Sequence, residues 1–125
     1  MTRTQIITFR LLLVAAFVVI AHLATTPQQY PVIKHISDKA NHVLAFYALA
    51  FLVDFSFPKT NVGIAKVLGL LTYGLLIEVV QSFIPNRMAS LLDVAADGIG
   101  IALYRFSLPV LRHVPLLNRR WRVQA

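Results

Sequence analysis

The chain reads as four apolar runs separated by short polar or proline-marked breaks. The first extends from about Ile6 to Ala24, with Arg10 one or two turns inside its start, where a long stem lets the charge snorkel to an interface. The second covers about Ala40 to Phe57, between Asp38-Lys39 and Pro58-Lys59. The third covers about Ala65 to Ile84 and stops at Pro85, and the fourth covers about Ser90 to Leu108 and stops at Pro109. Each run is close to the roughly 20 residues a helix needs to cross a hydrocarbon core. The pattern predicts an all-α fold, an integral membrane bundle of four transmembrane helices. It forms a single domain over residues 1–125, with a basic tail from about 109 to 125.

Composition supports that class. Hydrophobic residues make up 58% of the chain and charged residues 14%, where a soluble domain carries about a quarter charged residues. Cys is absent, which excludes disulfides, thiolate nucleophiles and Cys-ligated metals. The net charge is +7, but the arginines sit beside apolar runs instead of forming a soluble basic face. Membrane orientation accounts for such charge, so the bilayer is the expected partner and nucleic acid is not. The N-terminal run has two readings, since Arg3 and Arg10 followed by Leu11 to Leu23 also fit a signal peptide. The candidate cleavage site His22-Leu23-Ala24 has a poor residue at its first small position, so a retained anchor is expected.

Lys and Arg counts set the orientation. With four spans both termini share a side, which holds nine basic residues: Arg3, Arg10, Lys59, Lys66, Arg105, Arg112, Arg119, Arg120 and Arg122. The other side holds three, Lys34, Lys39 and Arg87. Both termini are therefore expected in the cytoplasm. The loop Thr25 to Lys39 and the turn Pro85 to Ala89 are then outside.

Against this map a few polar residues stand out at one membrane face: His42, Glu78, Gln81, Arg87 and Asp93. Ionisable groups at membrane depth are costly and face a protein interior or a wet cavity. His42 lies about one turn inside the second span. Glu78 and Gln81 are three apart, hence on one helix face, about 10 Å and 6 Å below Pro85 at about 1.5 Å per residue. Asp93 lies one turn into the fourth span, and Arg87 in the joining turn is within reach of Asp93 or Glu78.

These residues also carry a resemblance. Ser37-Asp38-Lys39-Ala40-Asn41-His42 with Phe46, then Glu78 to Arg87 as E-x-x-Q-x-F-x-P-x-R, then Ser90 to Gly100, resemble in order and spacing the VanZ-like family of small bacterial membrane proteins. That family is named for a member linked to teicoplanin resistance. The resemblance covers about Ser37 to Tyr104 and implies a bacterial cytoplasmic membrane protein touching cell-envelope or glycopeptide biology, with no agreed reaction. It departs at Asp97, where the family typically has Asn, which adds a carboxyl one turn below Asp93. The ligand-binding set expected is Lys39, His42, Glu78, Gln81, Arg87, Asp93 and Asp97, with His42, Glu78 and Asp93 as candidates for any catalysis.

Plainer roles stand beside these. Ser90 and Asp93 fit a capping box, Asp38 fits a cap of the second helix, and His42 fits an interfacial histidine bonded to a carbonyl. Arg87 fits a turn-fixing or headgroup contact. Glu78 resists such a reading, because a short acidic side chain at that depth needs a partner or a cavity. Asp54, near the other end of the second span, is set aside as able to reach the interface. Gly98, Gly100, Ala95, Ala96 and Ala102 suit close packing of the fourth helix, and Gly69 and Gly74 of the third. Tyr30, Phe83 and Tyr104 suit aromatic belts. The tail with Trp121 reads as a topology determinant, or as an interfacial segment holding anionic lipid. His22 matches His42 in depth, but histidines and carboxylates scattered over several helices lack the spacing of H-E-x-x-H, so no metal and no cofactor are expected.

Three functions follow. One is a binding protein for a polar or anionic envelope component, such as a lipid-linked cell-wall precursor. In it Arg87 and Lys39 attract phosphate or carboxylate, and Glu78, Gln81 and His42 give directional hydrogen bonds. Another is an intramembrane enzyme using His42 with Glu78 or Asp93 as base and acid, although no P-loop, H-E-x-x-H or G-x-S-x-G motif is present. The third is a non-catalytic subunit of a membrane-protein partner. The topology is directly testable: reporter fusions at Ala125 should report a cytoplasmic C-terminus, and an external one overturns the map.

Overall fold

The computed structural model describes residues 2–25, 34–58, 63–84, 91–115 and 117–118, with side chains in the second stretch described from Ala40 onward. The described chain is helical: α1 (Arg3–Thr25), α2 (Lys34–Ser56), α3 (Ile64–Gln81) and α4 (Leu91–Leu111). Three of them, α1, α3 and α4, are long and apolar enough to cross a membrane, and α2 carries a shorter apolar stretch, Ala40–Ser56.

The helix ends follow local chemistry that the apolar pattern alone does not report. At the start of α1 the Thr2 hydroxyl accepts from the Gln5 N–H at 3.2 Å, and the Thr2 N–H donates to Gln5 Oε1 at 2.9 Å. This reciprocal pair is a capping box. Helix α2 begins at Lys34, some six residues before the apolar run. Asp38 therefore lies within the helix, and its reading as a helix cap is corrected. Nothing between Lys34 and Lys39 breaks a helix, and Pro31 is the nearest upstream proline. Helix α3 ends at Gln81, short of the expected Ile84. The next N–H groups, of Phe83 and Ile84, bond three residues back, to Val80 and Gln81. Pro85 disfavours helical backbone at Ile84, so the last turn tightens before the proline arrives. Helix α4 passes through Pro109 instead of stopping there. The proline removes one ladder bond only two residues from the end, and the ladder resumes with Arg112 N–H to Leu108 O at 2.9 Å.

Contacts give the helix directions. Phe9 at the start of α1 meets Phe51 and Phe55 near the end of α2, so these two are antiparallel. His42 meets Asp97, and Asp54 meets Tyr104, so α2 and α4 run parallel. Phe17 packs on Tyr73, and Ala24 accepts from Gln81, so α1 and α3 run parallel. The four helices alternate up and down. The α2–α4 interface is the largest, and its α4 side uses Asp93, Asp97, Gly100, Tyr104 and Ser107, spaced by fours and threes along one helix face.

Glycines decide how close two of these helices come. A Cβ on Gly100 would collide with the Val43 carbonyl and stand 3.0 Å from the Tyr47 nitrogen, both backbone atoms of α2. On Gly74 it would collide with the Asp97 carboxyl and stand 3.1 Å from the Phe46 ring. Among the described residues a Cβ on Gly69 would meet nothing within 4 Å and one on Gly98 would make only ordinary contact, so the packing role expected of those two is corrected. Ala96 is buried, whereas Ala95 and Ala102 face outward.

The interior contains Phe46, Leu49, Ala50, Leu70, Ile101 and Tyr104, with Leu13 from α1. The buried set also contains Asp54, Glu78, Gln81, Asp93 and Asp97. The exterior carries large apolar side chains on every helix, among them Leu11, Leu44, Leu68, Leu91 and Phe106. A soluble monomer rarely exposes apolar surface on this scale, and the arrangement is consistent with a membrane protein. Gly100→Ala should destabilise the fold by about 1–3 kcal/mol through forced separation of two backbones, and Gly69→Ala should be neutral or slightly stabilising. Thermal unfolding of the purified variants in detergent measures both.

Candidate functional site

Three helices bring the polar side chains to one end of the bundle. His42 is in the first turn of the apolar part of α2, half-buried. Its Nδ1 lies 2.6 Å from Asp97 Oδ1 on α4. Its Nε2 lies 3.9 Å from Asp93 Oδ2, one turn earlier on α4. Glu78 comes from α3, and one ligand atom from each of His42, Glu78 and Asp93 falls within a mutual 4.8 Å. Glu78, Asp93 and Asp97 are 5%, 3% and 0% exposed, so protein encloses these carboxyls.

The local reason is positional. Asp93 and Asp97 are four apart on α4 and share a face. Gly100 continues that face and lets α2 approach until its backbone touches. His42 directly precedes Val43, the residue whose carbonyl meets Gly100. Glu78 is four residues after Gly74, the position that admits the Asp97 carboxyl against α3. Two glycines thus set the depth at which three helices present their polar groups.

The histidine has a defined orientation. A carboxylate on one ring nitrogen fixes the ring plane, and with Nδ1–H donating to Asp97 the other nitrogen is presented to Asp93, with Glu78 close by. Gln81, 2% exposed, sits one turn beyond Glu78. Its Nε2 donates to the Ala24 carbonyl at 2.8 Å, which satisfies an acceptor in the last turn of α1. Its Oε1 has no hydrogen-bond partner among the described residues. His42, Glu78, Asp93 and Asp97 are therefore assembled, with Gln81 tying the same end of α3 to α1. The side chain of Lys39, together with Arg87 and Ser90, lies outside the described residues.

A second polar cluster occupies the opposite end, and the sequence reading passed over it. Asp54 is 1% exposed. It accepts from Lys66 Nζ at 2.9 Å and from the Tyr104 hydroxyl at 2.7 Å. Setting Asp54 aside as an interfacial residue is thus corrected, as is Tyr104 as an aromatic-belt residue, because Tyr104 is fully buried. The missed signal was the pairing of Asp54 with Lys66 across the α2–α3 break. Lys66 also donates to the Phe57 carbonyl, and Arg10 Nε donates to the Ser56 carbonyl at 3.0 Å, its guanidinium over the Phe57 ring. Two cations at the C-terminus of α2 suit the helix dipole. A cavity of about 680 Å³ opens beside this second cluster, lined by Arg10, Leu13, Phe17, Lys66 and Leu70 among others. It is remote from His42.

No family model matches the chain, and no curated protein or solved structure matches it. Tyr104→Phe removes a hydrogen bond to a buried carboxylate and should cost about 1.5–3 kcal/mol. Chemical or thermal unfolding against wild type checks this, and an unchanged stability would show that the hydroxyl contributes nothing.

Proposed function

We propose that the protein is a bacterial cytoplasmic-membrane protein of the VanZ-like kind, with four spans and both termini inside, that binds the polar head of a cell-envelope component. The observation that carries this reading is the convergence of His42, Glu78, Asp93 and Asp97 at one end of a helical bundle whose exterior is apolar. In a bilayer such groups are expensive unless they serve a site. On the nine-to-three distribution of basic residues, that end faces outward. Carboxylates and an imidazole accept hydrogen bonds from hydroxyl and amine groups, while Lys39 and Arg87 supply the anion contacts. A lipid-linked cell-wall precursor offers both kinds of group, sugar hydroxyls and phosphate.

Acid–base turnover is the second reading, favoured by one observation. Asp97 holds His42 by Nδ1, the arrangement that orients a general base. The two readings separate by mutation. For a binder, Arg87→Ala should lower occupancy of a co-purifying envelope lipid about tenfold or more, since a charged hydrogen bond is worth about 1.5–3 kcal/mol. His42→Gln should change that occupancy little, and Glu78→Gln should reduce it. For an enzyme, His42→Gln should abolish complementation of a deletion strain while occupancy persists, because Gln exchanges no proton near neutral pH. Native mass spectrometry of the purified variants reads occupancy. Full complementation by both Arg87→Ala and His42→Gln, with normal insertion, removes both readings in favour of a structural subunit.

A further inference from the structure

The cluster has the donor set and geometry of a cation site, whatever envelope ligand the pocket takes. His42, Glu78 and Asp93 come from three different helices, and their donor atoms lie within a mutual 4.8 Å. Two ligands bound to one ion at about 2.1 Å each stand roughly 3–4 Å apart. His42 Nε2 and Asp93 Oδ2 are already at 3.9 Å. With Nδ1–H directed at Asp97, Nε2 presents a lone pair toward Asp93, and Glu78 brings a carboxylate oxygen to the same cluster, so the three groups converge as donors of electron density.

A further observation comes from Asp97, which is not one of the three donors. Metal-bound histidines almost always give their other ring N–H to a carboxylate, carbonyl or water, and Asp97 at 2.6 Å from Nδ1 holds that position. Its side chain is fully buried, and Oδ2 has no hydrogen-bond partner among the described residues. That oxygen is aimed at α3 beside Gly74, one turn before Glu78. A buried carboxylate oxygen without a donor is costly, and positive charge held between α2, α3 and α4 offsets it.

We propose that His42, Glu78 and Asp93 bind a divalent transition-metal ion, Zn²⁺ or Mn²⁺, with Asp97 as the positioning residue behind the histidine. The donor set selects the ion. Mg²⁺ and Ca²⁺ favour all-oxygen sites, and the absence of thiolates disfavours Cu(I). One nitrogen with two carboxylates suits Zn²⁺ or Mn²⁺, and three protein ligands leave an open position for water or a ligand oxygen.

The test uses the full-length protein in detergent, stripped with chelator, then titrated with Zn²⁺ by calorimetry and with Mn²⁺ by electron paramagnetic resonance. One ion per chain should bind at micromolar concentrations, and the Mn²⁺ spectrum should carry nitrogen coupling from a single imidazole. Glu78→Gln and Asp93→Asn should each weaken binding at least about tenfold, and Asp97→Asn about 10–100-fold. His22→Ala and His113→Ala should leave binding unchanged. Absence of saturable binding to the stripped wild type, or Mn²⁺ bound without nitrogen coupling, overturns the site without reference to any variant. Binding that survives Glu78→Gln and Asp93→Asn together, or that follows His22 or His113, also overturns it.

Discussion

The backbone contact between α2 and α4 at Gly100 is the constraint on which the rest of the structure depends. Side chains normally keep two helices 8–10 Å apart, and here the α4 position facing Val43 has no side chain. Closing that gap brings His42 to Asp97 at one end of the interface. It also brings Tyr47 to Ser107 at 2.8 Å. The Ser107 hydroxyl already donates to the Tyr104 carbonyl, so Tyr47 donates to Ser107. Tyr104 in turn reaches Asp54. A polar seam therefore follows the whole α2–α4 interface, and each of its bonds presupposes the same close approach. In an apolar surround, where burial of hydrocarbon gives helices little reason to associate, small residues and interhelical hydrogen bonds are the available means of association.

The two polar ends differ in chemistry. At the Asp54 end the charges are balanced locally, with Lys66 on the carboxylate and Arg10 on the last carbonyl of α2. Asp54, Lys66, Tyr104 and Arg10 each have a protein partner there. At the His42 end, three enclosed carboxyls surround one imidazole, and Asp97 Oδ2 has no hydrogen-bond partner among the described residues. A buried carboxylate oxygen left without a donor suits a place that receives something from outside: a proton, a cation or a hydrogen-bond donor. The Asp54 cluster is accordingly read as an anchor and the His42 cluster as the site.

Helix number was legible because apolar run length and proline breaks report it directly. So was the grouping of His42, Glu78 and Asp93, since ionisable residues in apolar runs have few places to go and helical rise places them at one depth. The extent of α2 was not legible. Lys34 to Lys39 is polar, and polarity says nothing about whether backbone stays helical outside an apolar run. Pro109 was read as a stop because its cost was counted without its position near the helix end. Asp54 was misread for a related reason. Depth from a helix end gives distance to an interface but not the neighbours at that depth, and Tyr104 and Lys66 are fifty and twelve residues away in sequence. Asp97 was expected in the ligand-binding set as an extra carboxyl below Asp93, but its hydrogen bond to His42 at 2.6 Å was not legible, because helical spacing does not say which of two carboxyls one turn apart meets a ring on a neighbouring helix.

The pairing of His42 with Asp97 in preference to Asp93 shapes the candidate site. Had His42 met Asp93 most closely, the ring would be held by a residue in the first turn of α4, where capping and fraying compete for its carboxyl. Holding it by Asp97 uses a residue one turn deeper, fully enclosed, and braced between α2 and the gap left by Gly74. The imidazole is thereby fixed from the rigid interior, and Asp93 and Glu78 are left to face its other nitrogen. A base, a hydrogen-bonding anchor and a metal ligand all require this division of roles, one carboxylate to aim the ring and the others to share what it meets. The position of Asp97 therefore makes His42 the centre of the candidate site under each of those chemistries.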